Sequence, residues 1–300
     1  MVFIVQRFFA LGVDFGVLVT KETLPGLLFV SVCTMLTFFL ASCGWTALLS
    51  YFAGKKIPLI PTYGLYVRAN LAKYLPGNVA HYAMRQVYGA SCGIRQRDML
   101  VSSVLEIGCM AIGAFTISFI LAKDILLDYF QNNLSSSWIL PVVIAVIAGV
   151  IIAGMFFMRK KGFSIKEILP YFHRRGIYLA IAVVIGITAC NMFIYGGNLL
   201  FLFSSYSAAG GNAVLIISAG IVSWFVGFVT PGVPGGIGVR EAVLLLMLSP
   251  ILPDGVVLFA AVLQRLAFIL SDIFSWIIGK IIEGKTAGAG EAVASAEGGE

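Results

Sequence analysis

The sequence predicts an all-α polytopic membrane protein, folded as two halves of inverted topology that each carry spanning helices and one re-entrant helical hairpin. Three observations lead there. Of the 300 residues, 60% are hydrophobic and 11% charged, and the mean hydropathy is +0.99, which no soluble core of this length accounts for. Stretches such as 139–158 and 177–203 are apolar on every side over the length that a spanning helix needs, and lack the alternation of an outer-membrane barrel strand. Two segments, KYLPGNVAHYAMR at 73–85 and TPGVPGGIGVRE at 230–241, interrupt the apolar pattern with Pro and Gly beside basic residues, at matching places in the two halves. Backbone that cannot be helical at membrane depth must be buried in protein or line a polar cavity.

In chain order, the apolar runs predict spans at 2–20, 25–52, 99–122, 138–158, 177–203 and 256–279. The first is weak, since it carries Arg7 and Asp14. It also lacks the basic start and small-residue cleavage site of a signal peptide, and reads as a spanning or interfacial helix. The stretches 63–90 and 213–248 are each long enough for two half-crossings, with the breaker near the middle. The last segment, GKTAGAGEAVASAEGGE at 284–300, is small, Gly/Ala-rich and acidic, and reads as a disordered tail. The five cysteines are scattered without a CxxC spacing and read as packing residues.

Loop charge sets the orientation. Lys55, Lys56, Arg95, Arg97, Lys280, Lys285 and the basic residues between 159 and 175 make up twelve of the twenty Lys and Arg, and all twelve can lie on one side. The opposite loops hold Lys21 and Lys123 among Glu22, Asp124, Asp128 and Asp254. The positive-inside rule then puts both termini in the cytoplasm. Both ends of 63–90 face inside and both ends of 213–248 face outside, so the hairpins enter from opposite faces. Residues 1–122 and 138–283 become inverted repeats.

A descending limb of about ten residues reaches mid-bilayer, which brings 73–78 to the midplane. Pro76 ends that limb, and Asn78 is placed to cap a second half-helix on which His81 and Arg85 share a face. In the other hairpin, Gly232, Gly235, Gly236 and Gly238 allow backbone amides close to a ligand, and Arg240 stands at the next helix start. Arg68, Lys73, Arg85, Arg240 and Arg265 thus lie at membrane depth against Glu106, Glu241 and Asp272. The excess of two positive charges suits an anionic ligand, since each unpaired cation costs about 2.5–3.5 kcal/mol on insertion scales. The competing reading is internal pairing: Arg265 and Asp272, seven residues apart, share a helix face, Arg240 and Glu241 each have a neighbour to bind, and Arg68 can snorkel. Glu106 and Asp272 are the candidates for proton or ion coupling, Glu106 equally for neutralising a hairpin cation. His81 reads either as a titrating group or as a packing histidine.

KYLPG at 73–77 followed by Arg85, and PGGIGVRE at 234–241, resemble the signature motifs of the lysylphosphatidylglycerol synthase transmembrane, or flippase, domain family. The resemblance covers essentially the whole membrane portion. It implies translocation of an anionic or aminoacylated phospholipid, or of a polyprenyl-linked lipid, across a bacterial or archaeal plasma membrane. The residues read above as candidates to hold such a substrate are Arg68, Lys73, Asn78, His81, Arg85, Gly235, Gly236, Arg240, Glu241 and Arg265. Where many members have a lysine after the first Pro-Gly and an aromatic shortly after, this chain has Asn78 and then Ala80 and His81. The chain ends soon after its last span, so it is expected to be a stand-alone member without the aminoacyl-transferase domain, and lysine transfer is not implied.

Three function classes follow. A lipid flippase working by alternating access needs half-helix ends and arginines for a headgroup. An ion or solute channel shares the repeat logic but requires a closed aqueous route. An intramembrane enzyme needs paired carboxylates for Mg²⁺ or a nucleophile with its base, and no DDxxD, HExxH or GxSG run occurs. The expectation is therefore a transporter, not an enzyme, with no cofactor or metal. Its partners are an anionic lipid substrate and the bilayer, with no nucleic acid; homo-oligomerisation is left open.

Overall fold

The computed structural model describes residues 23–74, 80–91, 93–132, 176–204, 211–230 and 233–297. All their regular structure is helical: α1 Thr23–Ala53, α2 Leu59–Asn70 with a 3₁₀ turn Leu71–Tyr74, α3 Ala80–Ser91, α4 Gln96–Asn132, α5 Gly176–Leu202, α6 Ala213–Val229, a turn Pro234–Gly236, α7 Val239–Leu248, and α8 Asp254–Glu297. Local chemistry sets the ends. Gly54 leaves α1 with φ +67°, its N–H bonded to the Tyr51 carbonyl. Gly93, at φ +68°, closes α3 in a Schellman motif, with Gly93 N–H on Ala90 O and Ile94 N–H on Gly89 O. α6 stops at Thr230, held extended by Pro231 after it.

Residues 24–53, 96–121, 176–202 and 254–284, within α1, α4, α5 and α8, are long and apolar enough to cross a membrane. Unlike a soluble bundle, they are apolar on their outer faces and bury small hydroxyls among the apolar core. Ser31, Thr34, Ser42, Ser102, Ser271 and Ser275 are buried, while Phe29, Val32, Phe119, Leu179 and Ile281 are exposed. Apolar surface outward and small hydroxyls inward is what a lipid solvent selects. The hydroxyls return to their own helices, as Ser31 does to Leu27 O, or join neighbours, as Ser271 does to Ser31 O across α8 and α1.

The described elements repeat in order: a long helix, a broken pair and a long helix, as α1, α2–α3, α4 and again as α5, α6–α7, α8. Each broken pair packs on itself, α2 on α3 and α6 on α7, and the turn at 71–74 meets the turn at 234–236. Two crossings are made of backbone. A Cβ on Gly279 of α8 would stand 3.0 Å from the Gly64 carbonyl of α2, and one on Gly220 of α6 would stand 3.1 Å from Gly196 Cα of α5.

Four of the six predicted spans and both interrupted stretches correspond to these elements; the spans at 2–20 and 138–158, and the basic run at 159–175, lie outside the described residues. Two helices outrun their predicted ends. α4 continues to Asn132, through a segment in which Ile125, Leu126 and Leu127 keep an apolar pattern among the acids. α8 continues to Glu297, where a tail without structure was expected from 284; Ala287, Ala289, Ala292, Ala294 and Ala296 favour helix there over the interspersed glycines.

Candidate functional site

Where the two turns meet, the bundle encloses a cavity of about 200 Å³ to which every described α-helix contributes wall. Its charged groups are almost all spoken for. Arg85 of α3 and Glu106 of α4, each 2% exposed, form an ion pair at 2.5 Å. The guanidinium carbon of Arg85 lies 3.9 Å from the centre of the Tyr66 ring and 5.0 Å from those of Trp45 and Tyr82. An arginine cannot shed its proton, so this cage of carboxylate and ring faces is what makes its burial tolerable.

α8 supplies the other partners from one stripe. Arg265, Asp272 and Glu283 are spaced by seven and eleven residues, which returns each to nearly the same face at about 100° per residue. Asp272 receives Lys73 at 2.8 Å, Asn70 at 2.8 Å and Tyr74 at 2.6 Å, so it pins the first break to α8. Arg265 reaches Glu241 of α7 at 3.0 Å. Glu283 receives Arg68 of α2 at 2.5 Å. The pairing of Arg265 with Asp272 weighed from the sequence is thereby overturned: seven residues along a helix span about 10.5 Å, and each side chain instead meets a charge presented by a broken pair.

Arg240 is the exception. Among the described residues no carboxylate pairs with it, and its Nε is buried without a hydrogen-bond partner. The guanidinium carbon sits 5.9 Å from the ring centres of both Tyr195 and Trp224. Its stem threads a slot between two glycines: a Cβ on Gly227 would fall 2.6 Å from Arg240 Cγ, and one on Gly236 would fall 2.8 Å from its Nε. The loop that delivers it needs glycine for conformation too, with Gly235, Gly236 and Gly238 at φ +62°, +71° and +85°. Glu241 fixes the start of α7 by accepting from the Gly238 N–H at 2.7 Å.

A family model described as the lysylphosphatidylglycerol synthase TM region matches residues 4–271. The chain belongs to that family. In this lysylphosphatidylglycerol synthase TM member, the matched region takes in every residue that lines the cavity and stops one residue short of Asp272. With its apolar spans, family membership makes the chain a multi-pass membrane protein. Searches among curated proteins and among solved structures gave no match.

Of the residues singled out from the sequence, Lys73, His81, Arg85, Glu106, Gly235, Arg240, Glu241 and Arg265 line the cavity of this family member. Arg68, Gly236 and Asp272 stand behind that wall, as partner to Glu283, as one side of the Arg240 slot and as holder of Lys73. Asn78 lies outside the described residues. Glu283 answers Arg68 but is shared with Lys280, and Arg240 is the cation at the site that no carboxylate pairs with among the described residues. The sequence reading missed Trp45, Tyr66 and Tyr82 around Arg85, Asn70 and Tyr74 on Asp272, and Gly227. Asn70 and Tyr74 flank Lys73, which is a signal for a shared anion; nothing in the apolar surroundings of Gly227 marks it. Among the described residues no group of three or more His, Cys, Asp or Glu side chains is placed to hold a metal ion.

The slot yields a direct test. Gly227→Ala is expected to displace Arg240 while leaving α6 helical, since Ala favours helix over Gly by about 1 kcal/mol. Ligand binding should then fall as it does for Arg240→Gln, with the melting temperature within a few degrees of wild type. Wild-type binding by Gly227→Ala would show that the slot does not position the arginine.

Proposed function

We propose that this protein carries an anionic lipid between leaflets by alternating access, as a transporter and not as an enzyme. The observation that supports the reading best is Arg240: a cation that no carboxylate pairs with among the described residues, in a cavity at the junction of the two broken helical pairs. A buried charge left unmatched is costly, and a bound anion removes that cost. At about 200 Å³, the cavity is smaller than the roughly 300–1,000 Å³ that holds a drug-sized molecule. It accommodates a headgroup, while the acyl chains stay against the apolar outer faces in the bilayer. In this proposal the broken pairs are re-entrant hairpins from opposite faces, the two sets of helices are inverted repeats, and rocking of one set against the other changes which leaflet reaches Arg240. In the same proposal the membrane is a bacterial or archaeal plasma membrane and both termini lie in the cytoplasm, an orientation the basic loops support.

The reading is tested in proteoliposomes that contain a headgroup-intact, chain-labelled phosphatidylglycerol, with leaflet exchange followed by chemical quenching of the outer label. Exchange is expected well above that of protein-free vesicles. Arg240→Gln should slow it tenfold or more, the loss that follows from removing charge-assisted hydrogen bonds of about 1.5–3 kcal/mol. Leakage of a small trapped dye or ion without lipid exchange would overturn the proposal in favour of a channel.

A further inference from the structure

One side chain stands both in the cavity and at the surface. Arg85 and Glu106 are 2% exposed and Asp272 is 1%, whereas Tyr74, which lines the same cavity, is 39% exposed. Among the described residues that line the cavity, every other is buried or partly buried. The turn that carries it, Leu71–Tyr74, buries none of its residues, and a 3₁₀ turn has poorer hydrogen-bond geometry than an α-helix. What fastens this turn to α8 is polar: the Tyr74 hydroxyl donates to Asp272 Oδ2 at 2.6 Å, beside Asn70 and Lys73 on Oδ1 at 2.8 Å each. Ile269, Ile273 and Phe274, close to Asp272 along α8, are exposed. The outer surface beside the contact is therefore the apolar kind that faces lipid.

We infer that Tyr74 is a lateral gate of the cavity: with its hydroxyl on Asp272 the ring shuts the mouth toward the bilayer, and with that bond broken the ring swings aside and opens it. The inference rests on the lipid-transfer reading for what passes the gate, but not for the gate itself. Asp272 is built to let the tyrosine go. Lys73 lies within 2.7 Å of Oδ2 as well as 2.8 Å from Oδ1, so the carboxylate keeps its cation and the Asn70 amide when the tyrosine leaves, and no buried charge is stranded. The released hydroxyl is the group that loses a partner, and in a bilayer an unpaired hydroxyl is costly. A polar group arriving at the mouth supplies the missing acceptor. Bare acyl chains supply none, so the gate stays shut against the bulk of the membrane and opens to molecules that carry a polar end.

The full chain in liposomes tests this with a thiol inside the cavity. Thr188, which lines the cavity and is 3% exposed, is changed to Cys. Cys33, Cys43, Cys92 and Cys190 are replaced by alanine, and Cys109, buried on α4 away from the cavity lining, is kept as the control for loosening of the fold. The probes are N-hexadecylmaleimide, confined to the bilayer, and the water-soluble 2-sulfonatoethyl methanethiosulfonate. N-hexadecylmaleimide is expected to modify Thr188→Cys at least tenfold faster with Tyr74→Ala than with Tyr74, and at an intermediate rate with Tyr74→Phe, which keeps the ring and loses the latch. Modification of Cys109 should not change. Equal rates at Thr188→Cys in all three proteins overturn the gate, and so does a rise that Cys109 shares. Acceleration of the water-soluble reagent alone shows a mouth that opens to water and overturns it as well. The labelling reads opening without transport: a protein that passes it but moves no phosphatidylglycerol keeps the gate and loses the lipid-transfer reading.

Discussion

Glu106→Gln is expected to lower the stability of the protein by about 3–5 kcal/mol, the usual cost of stripping one partner from a buried ion pair. Arg85 is 2% exposed and permanently charged, so it cannot escape the loss by releasing a proton. Glutamine keeps the shape and one acceptor oxygen but not the charge, so the variant isolates electrostatics from packing. Arg85→Met is expected to cost a similar amount by stranding the carboxylate, although Glu106 can take up a proton, which caps the penalty below that of stranding the arginine. The double variant with Glu106→Leu and Arg85→Met should recover most of the wild-type stability, because well-packed apolar replacement of a buried pair is often neutral or better. Thermal unfolding in detergent of the wild type, Glu106→Leu, Arg85→Met and the double variant measures the cycle. Additive single and double losses would mean that the two side chains do not act as a pair.

The second large effect is expected at Asp272. Asp272→Ala removes in one step the acceptor of Asn70, Lys73 and Tyr74, and leaves an ammonium that is 18% exposed without an anion. A loss of about 3–5 kcal/mol follows, and it should be local in its first consequence: amide hydrogen exchange at 70–74 is expected to rise well before exchange in α5 does. Adding Lys73→Met should return part of the loss, but not all, since Asn70 and Tyr74 still lack their acceptor. Unchanged exchange at 70–74 would show that the break is held by packing instead.

Much of this was readable beforehand, for physical reasons. Pro and Gly interruptions announce themselves against a background that is otherwise apolar, so the breaks at 71–80 and 230–238 could be placed to within a few residues. The inventory of buried charge was readable too, because a cation among apolar residues has few explanations. The pairing was not. Which acid takes Lys73 depends on the packing of α2 against α8, and helix packing is decided by glycines such as Gly64 and Gly279 that carry no charge signal at all. Arg85 and Arg240 look alike in sequence, each following a Pro-Gly break. Only their surroundings separate them: Glu106 and three rings around Arg85, and around Arg240 a glycine slot with no paired acid among the described residues.

The two crossings of backbone on backbone, Gly64 with Gly279 and Gly196 with Gly220, have a mechanical consequence. Helices that meet through side chains mesh like gears, ridge into groove, and resist translation. Helices that meet through glycines come closer and mesh through fewer teeth: Val67 and Ile282 reach the glycines at the crossing of α2 and α8, and Ile217 does so at that of α5 and α6, so each broken pair seats on its long helix through a few small knobs. Register on α8 is then kept by those knobs together with a few electrostatic catches, Lys73 on Asp272 and Glu241 on Arg265. Under the proposed alternating access, catches of that kind would engage and release as discrete events, giving a bundle of rigid helices a small number of definite positions instead of a continuum.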